Sequence, residues 1–228
     1  GVWKRTLSCL MTVILLVTSL NFTIFAAEDY TGSETYAEGD LNGTGDIQGQ
    51  EQYTVNVSKK GKGSISPEGD QTVLSGSPLS IMMTPDHKYK VAQIKVDGNP
   101  ISEEEVASAD SMDQYDFYAS GNQTVEIVFG AELSVSGHTY TVVGSEGLCE
   151  KEQDPEAYQN DMAEDDYETG TFKITYENVP RGSYSFKISQ DHSQTNFYGD
   201  GTTVEVPVDN ATVTITFKEN TQEIITEV

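Results

Sequence analysis

The stretch TVTITF, residues 212–217, decides the class of fold. Val213, Ile215 and Phe217 alternate with Thr212, Thr214 and Thr216, giving one apolar and one hydroxylated face. Successive side chains of an extended strand point to opposite sides, so this period of two marks a strand with one buried face. The same alternation opens the ordered part of the chain, where Tyr53, Val55 and Val57 share a face. Between these two stretches, turn chemistry recurs at Gly61-Lys62-Gly63, Pro67-Glu68-Gly69, Ser75-Gly76, Asp97-Gly98 and Gly121-Asn122. Strands are predicted at 63–66, 72–74, 78–84, 89–96, 115–118 and 124–129, and then at 138–143, 171–176, 183–189, 203–208, 211–217 and 223–228. No segment has the period of a long amphipathic helix, and the acidic stretch 102–110 predicts one helical turn or a loop. The expected fold class is all-β, with two small antiparallel β domains at 53–130 and 133–228. At roughly 80–95 residues, each is long enough for a core of its own.

The first 27 residues have the composition of a secretory leader: Lys4 and Arg5, an apolar run over 10–25, then Ala26-Ala27 before Glu28. A retained membrane anchor is the alternative, weakened by Thr18, Ser19, Asn21 and Thr23 inside the run. The expectation is an extracellular or cell-surface protein whose mature part has no stable membrane span. Residues 28–52 are rich in Gly, Ser, Thr and acids, with too little apolar surface to offset chain entropy, and read as an acidic flexible linker.

A formal net charge of −24 would repel a phosphate backbone or an anionic bilayer, so nucleic acid is disfavoured as a partner. Neutral polysaccharide, cell-surface proteins and cations remain compatible with such a field, and a monomer is expected. Beyond the leader the only cysteine is Cys149, so no intrachain disulfide is available and burial must hold the domains together. Its acidic neighbours oppose a thiolate, and Cys149 reads as a small buried filler.

Two resemblances sharpen this picture. YTVNVSKKGKGSISPEGDQTV (53–73), LSIMMTPDHKYKVAQIKVDG (79–98) and TVEIVF (124–129) resemble the divergent repeat domains of bacterial surface proteins related to internalin-type B repeats. That resemblance implies a small β repeat, β-grasp-like in form, acting as a spacer or adhesion element; the insert at 101–112 is longer than the family expects. YTVVGSEG (140–147), DPEAYQNDM (154–162), GTFKITYENVPRGSYSFKISQDHS (170–193), FYGDG (197–201) and ATVTITF (211–217) resemble the immunoglobulin-like accessory module of bacterial pullulanases and related α-glucan-degrading proteins. It implies an immunoglobulin-like β-sandwich, with residues 178–182 as the turn of a hairpin. Tryptophans that relatives carry near 149–154 and 192–196 are replaced here by Glu-Lys-Glu-Gln and Ser-Gln-Thr. Sugars stack on flat rings, so Tyr158, Tyr167, Phe197 and Tyr198 become the candidate carbohydrate platforms.

Other constellations are thinner. DLNGTGDIQGQE (40–51) has the spacing of a calcium loop, with Asp40, Asn42, Thr44, Asp46 and Glu51 as candidate ligands; no other cofactor is implied. Flanking helices are missing from the pattern, and polar linkers generate such spacing readily. Ten acids between Glu146 and Glu168 read as a solvated loop; a catalytic carboxyl would need an apolar pocket to raise its pKa. His87, His138 and His192 lack metal-ligand spacing and read as surface or turn residues. The expected role is non-catalytic: a modular spacer or adhesion element in a glycan-related context. The alternative is a weak α-glucan-binding accessory module, as the front of a larger glycoside hydrolase.

Overall fold

The computed structural model describes residues 51–149 and 153–228. The leader at 1–27 and the linker up to residue 50 lie outside the described residues, as do Asp40, Asn42, Thr44 and Asp46 of the calcium spacing.

The described chain is nearly all β, in two domains with separate cores. The first contains β1 (Gln52–Lys60), β2 (Gly63–Ser66), β3 (Gly69–Leu74), β4 (Pro78–Pro85), β5 (Tyr89–Val96), β6 (Asn99–Pro100), α1 (Glu103–Met112), β7 (Gln114–Tyr118) and β8 (Gln123–Ala131). A five-stranded sheet runs β3-β1-β8-β5-β6 and a three-stranded sheet runs β2-β4-β7. The alternation around Val55 and Val57 is realised as expected: both are buried, and Ile81, Met83, Ile94, Phe117, Val125, Ile127 and Phe129 meet them. One pairing is not antiparallel, since β1 and β8 run parallel with Val57 opposite Val125. A parallel pair needs a long crossover, which all the elements between them supply.

Residues 103–112 form a ten-residue helix rather than a single turn. Its start is a capping box, with Ser102 accepting from the Glu105 N–H while the Glu105 side chain returns to the Ser102 N–H. The Ser-x-x-Glu spacing was present in the sequence; the helical period was faint because only Val106 and Ala109 are buried. Asp110 on this helix accepts from the Val91 N–H at 2.7 Å, serving a backbone donor beside the register shift in β5. Ser102→Ala is expected to cost about 1 kcal/mol of stability, measurable as a shift in the urea midpoint.

The second domain contains β9 (Tyr140–Gly144), a 3₁₀ turn (Tyr158–Asn160), β10 (Asp161–Glu164), β11 (Thr171–Val179), β12 (Gly182–Gln190), β13 (Phe197–Val206), β14 (Ala211–Lys218) and β15 (Glu223–Glu227). The strand order is β13-β12-β9-β10-β11-β14-β15. Four-residue β10 is divided between partners: Asp161 and Met162 pair with β9, while Ala163 and Glu164 pair with β11. It thereby links the β13-β12-β9 and β11-β14-β15 halves of a sandwich. Residues 178–182 are not the turn of a hairpin, because β11 pairs with β14 and β12 with β9 and β13. The segment crosses between the halves, and the Tyr184 hydroxyl pins it by donating to the Pro180 carbonyl at 2.8 Å. Inside, Tyr140 packs on Phe172 and Phe217 with ring centroids 4.5 and 4.8 Å apart, among Val142, Ile174, Ile188, Val213 and Ile215. At the far side, a β-carbon on Gly199 of β13 would sit 2.2 Å from Ile224 Cδ1 of β15, so the two end strands meet there in packing contact.

Candidate functional site

The junction of the two domains is built around Asp161. The last strand of the first domain ends at Ala131, and its main chain runs against the 3₁₀ turn and β10. Asp161 is 1% exposed. Its Oδ1 accepts from the Thr141 hydroxyl at 2.6 Å and lies 2.9 Å from His192 Nε2, while its Oδ2 accepts from the Ala131 N–H at 3.3 Å. Burial pushes its carboxyl above the usual range, and the bond to His192, the nearby imidazole charge, Thr141 and the Ala131 N–H pull against that. The Tyr89 hydroxyl donates to the Asp161 carbonyl at 3.2 Å, and burial first, then the Asp161 charge, raises that phenol to about 12. Gly130 is required here: a β-carbon would lie 2.9 Å from both Asp161 Oδ2 and Ala92 Cβ.

The 3₁₀ turn serves two cavities at this junction. Tyr158 faces one of about 610 Å³, together with Asp161, His192, Lys90, Asp110 and Asp191. Its ring lies 4.3 Å from the His192 ring. Gln159 and Asn160 line another of about 430 Å³, with Lys62 from the β1–β2 turn and Cys149, Thr175, Tyr176 and Glu177 from the second domain. Lys62 Nζ donates across the junction to the Thr175 carbonyl at 2.8 Å.

The four aromatic candidates fall in different settings. Tyr167 is 98% exposed on the β10–β11 loop. Phe197 carries the Lys187 ammonium 3.7 Å from its ring centre. Tyr198 packs on Phe217 at 5.1 Å and donates its hydroxyl to Gln190 at 2.7 Å. Tyr158 belongs to the junction. Of the calcium candidates only Glu51 is described, and its carboxylate accepts from the Tyr53 hydroxyl at 2.7 Å. Among the described residues no group of three or more His, Cys, Asp or Glu could hold a metal ion, and no helix is long and apolar enough to cross a membrane.

Family models match both domains: residues 53–132 as a divergent InlB B-repeat domain and residues 139–224 as a pullulanase X25 domain. The chain couples a B-repeat to an X25 domain. Among solved structures, it is similar to a pullulanase from Bacillus acidopullulyticus at 15% identity and a TM-score of 0.36, covering 66% of this chain and 16% of that one. It is also similar to SusF from Bacteroides thetaiotaomicron at 12% identity and a TM-score of 0.26, covering 78% of this chain and 52% of that one. No curated protein matches the chain.

Within the X25 domain the acidic run is less solvated than its composition implies. Besides Asp161, Glu164 accepts from the Val135 and Gly170 N–H groups, and Asp165 from the N–H groups of Tyr167 and Glu168 and from Lys173. Asp166 reaches into the B-repeat domain, 2.8 Å from His87 and 3.3 Å from Lys88, and the His87 bond followed by Lys88 holds its carboxyl below the usual range. Each histidine has an aspartate partner: His87 with Asp166, His138 with Asp191 and His192 with Asp161. No sequence signal separates Asp161 from the other nine acids of the run, because its burial depends on β8 arriving from another domain. Cys149 is the buried filler its neighbours implied; burial raises its thiol to about 11.

Proposed function

We propose that this chain is a secreted, non-catalytic, carbohydrate-related accessory module. In this reading its X25 domain contacts neutral α-glucan weakly, and its B-repeat domain holds that surface in a fixed setting. The observation that carries the proposal is the match of residues 139–224 to the pullulanase X25 domain. The fully displayed ring of Tyr167 supports it, since an uncovered aromatic face can stack on a pyranose. A non-catalytic role fits the acids, many of which are already committed to backbone donors and lysines.

The spacer or adhesion reading draws on the junction, where Asp161, Lys62 and Asp166 tie the domains together. A prop of this kind would set the X25 domain at a constant angle to whatever bears it, a polysaccharide or another surface protein being the partner. Isothermal titration of the protein with maltohexaose and pullulan tests the glucan reading. The expected Kd is about 1 mM, a binding free energy of about −4 kcal/mol. Tyr167→Ala is expected to weaken it severalfold. No heat and no NMR shift with ligand at about ten times that concentration would leave the spacer reading standing alone.

A further inference from the structure

All three histidines of the chain are paired with aspartates, and two of the pairs sit at the junction of the domains. The junction is packed rather than merely linked, since residues 127–131 of β8 are all buried and the strand has no water-facing side there. Two carboxylates fasten it. Asp161 accepts from the Ala131 N–H across the boundary and lies 2.9 Å from His192 Nε2, while Asp166 lies 2.8 Å from His87 of the B-repeat domain.

His192 is the unusual member. It follows Asp191 in the turn 190–193, which the Ser193 N–H closes by donating to the Gln190 carbonyl at 3.0 Å. Both central residues have positive φ, 52° and 54°. Turns of that form are dominated by Gly, Asn and Asp, because larger side chains are strained in the left-handed region. Here an imidazole occupies such a position and is turned inward, 17% exposed, against a carboxylate that is 1% exposed. Strain kept where a smaller residue would relieve it points to a task for the side chain.

The task this geometry suits is proton sensing. Histidine is the side chain whose charge changes between about pH 5 and 8. A neutral ring leaves a buried Asp161 charge uncompensated, whereas an imidazolium makes the bond charge-assisted and roughly twice as strong. Asp191 of the same turn, Glu103 and Asp110 of α1 and Lys90 of β5 share the cavity beside His192, so the local charge balance is negative. Two phenols complete the surroundings: the Tyr158 ring stacks on His192 at 4.3 Å, and Tyr89, raised to about 12, stays neutral throughout. His87 is 75% exposed, with Lys88 beside it on Asp166, and an exposed pair contributes little. His138 pairs with Asp191 inside the X25 domain and does not cross the boundary.

We propose that the junction is a proton-operated clasp with His192 as its sensor, firm in mild acid and looser as pH rises through the histidine range. Protonation strengthens a bond made only in the closed junction, so closing takes up protons; the contribution is present below that range and lost above it. Burial raises the carboxyl of Asp161 and acts in the same direction. Asp166, held low by His87 and then Lys88, loses its tie only in stronger acid. The clasp is independent of the glucan reading, because it concerns how the X25 surface is held and not what that surface touches.

Hydrogen exchange of the Ala131 amide in the full chain, corrected for the intrinsic pH dependence of exchange, measures closure, and the His192 ring NMR signal follows the sensor. Protection should fall about five- to tenfold between about pH 5 and 8, with the same midpoint as the ring signal. His192→Gln keeps a donor for Asp161 without a change of charge, and most of the fall should vanish in it. His87→Gln should retain the fall. Flat protection in the wild type, or a midpoint that departs from that of the His192 ring, overturns the proposal without any variant. An undiminished fall in a His192→Gln protein with wild-type circular dichroism overturns it as well.

Discussion

Replacing Asp161 by alanine is expected to lower stability by about 3–5 kcal/mol, because one partner of a buried, hydrogen-bonded pair disappears. The Thr141 hydroxyl, His192 Nε2 and the Ala131 N–H all lose their acceptor at once, at a carboxylate that is itself buried. The loss should fall on the junction as well as on the X25 core, since Ala131 belongs to β8. Hydrogen exchange of the Ala131 amide is the local measure, and urea unfolding the global one. Asp161→Asn keeps an oxygen for Thr141 and should cost less.

The pH dependence of that second variant has a definite sign. The folded pKa of Asp161 lies above its ordinary value of 3.8, so its stabilising contribution is complete below 3.8 and is lost as pH rises through the folded value. The wild-type advantage over Asp161→Asn should therefore be greatest in acid and shrink toward neutrality. Asp166 and Asp191 act oppositely. Their folded pKa values are lowered, so their contributions are present above 3.8 and lost as pH falls through the folded values. For Asp191 burial pushes upward, but the Thr139 N–H and His138 outweigh it. A gap between wild type and Asp161→Asn that widens with rising pH would contradict the assignment.

Phe217→Ala is expected to be comparably severe, about 3–5 kcal/mol. Phe217 is wholly buried and touches Tyr140, Phe172 and Tyr198, so its removal deletes transfer energy, opens a cavity and breaks three ring contacts. The loss should appear in the X25 domain, lowering its melting temperature by roughly 20 °C. The B-repeat core around Phe129 and Ile127 shares no residue with that cluster and should keep its own protection against exchange. Equal loss of protection in both domains would show that the two cores unfold as one.

The fold was legible where burial is one-sided. Strands such as β1 and β4 alternate cleanly because one face meets a core and the other meets water. Legibility failed where the cause was local chemistry or another domain. Helix α1 is started by a capping box and buries only two side chains, so its period carried little signal. Strand β10 has four residues divided between two partners, too few to display any alternation. Hairpin geometry at 178–182 failed because turn residues show that the chain bends, not which strand it bends toward. For the site, aromatic chemistry could be read from the sequence, but Asp161 could not. Its significance comes from Ala131, brought from the other domain by tertiary folding.

The contact of Gly199 with Ile224 bears on how the protein behaves when crowded. Unpaired strand edges recruit strands from other molecules, and β13 and β15 are the ends of the seven-stranded order. Here those ends lean on each other, and Asp200, Glu223 and Glu227 stud them with negative charge. An incoming strand would have to part this seam and accept the repulsion. Concentrated solutions should therefore resist the edge-to-edge polymerisation to which open sandwiches are prone.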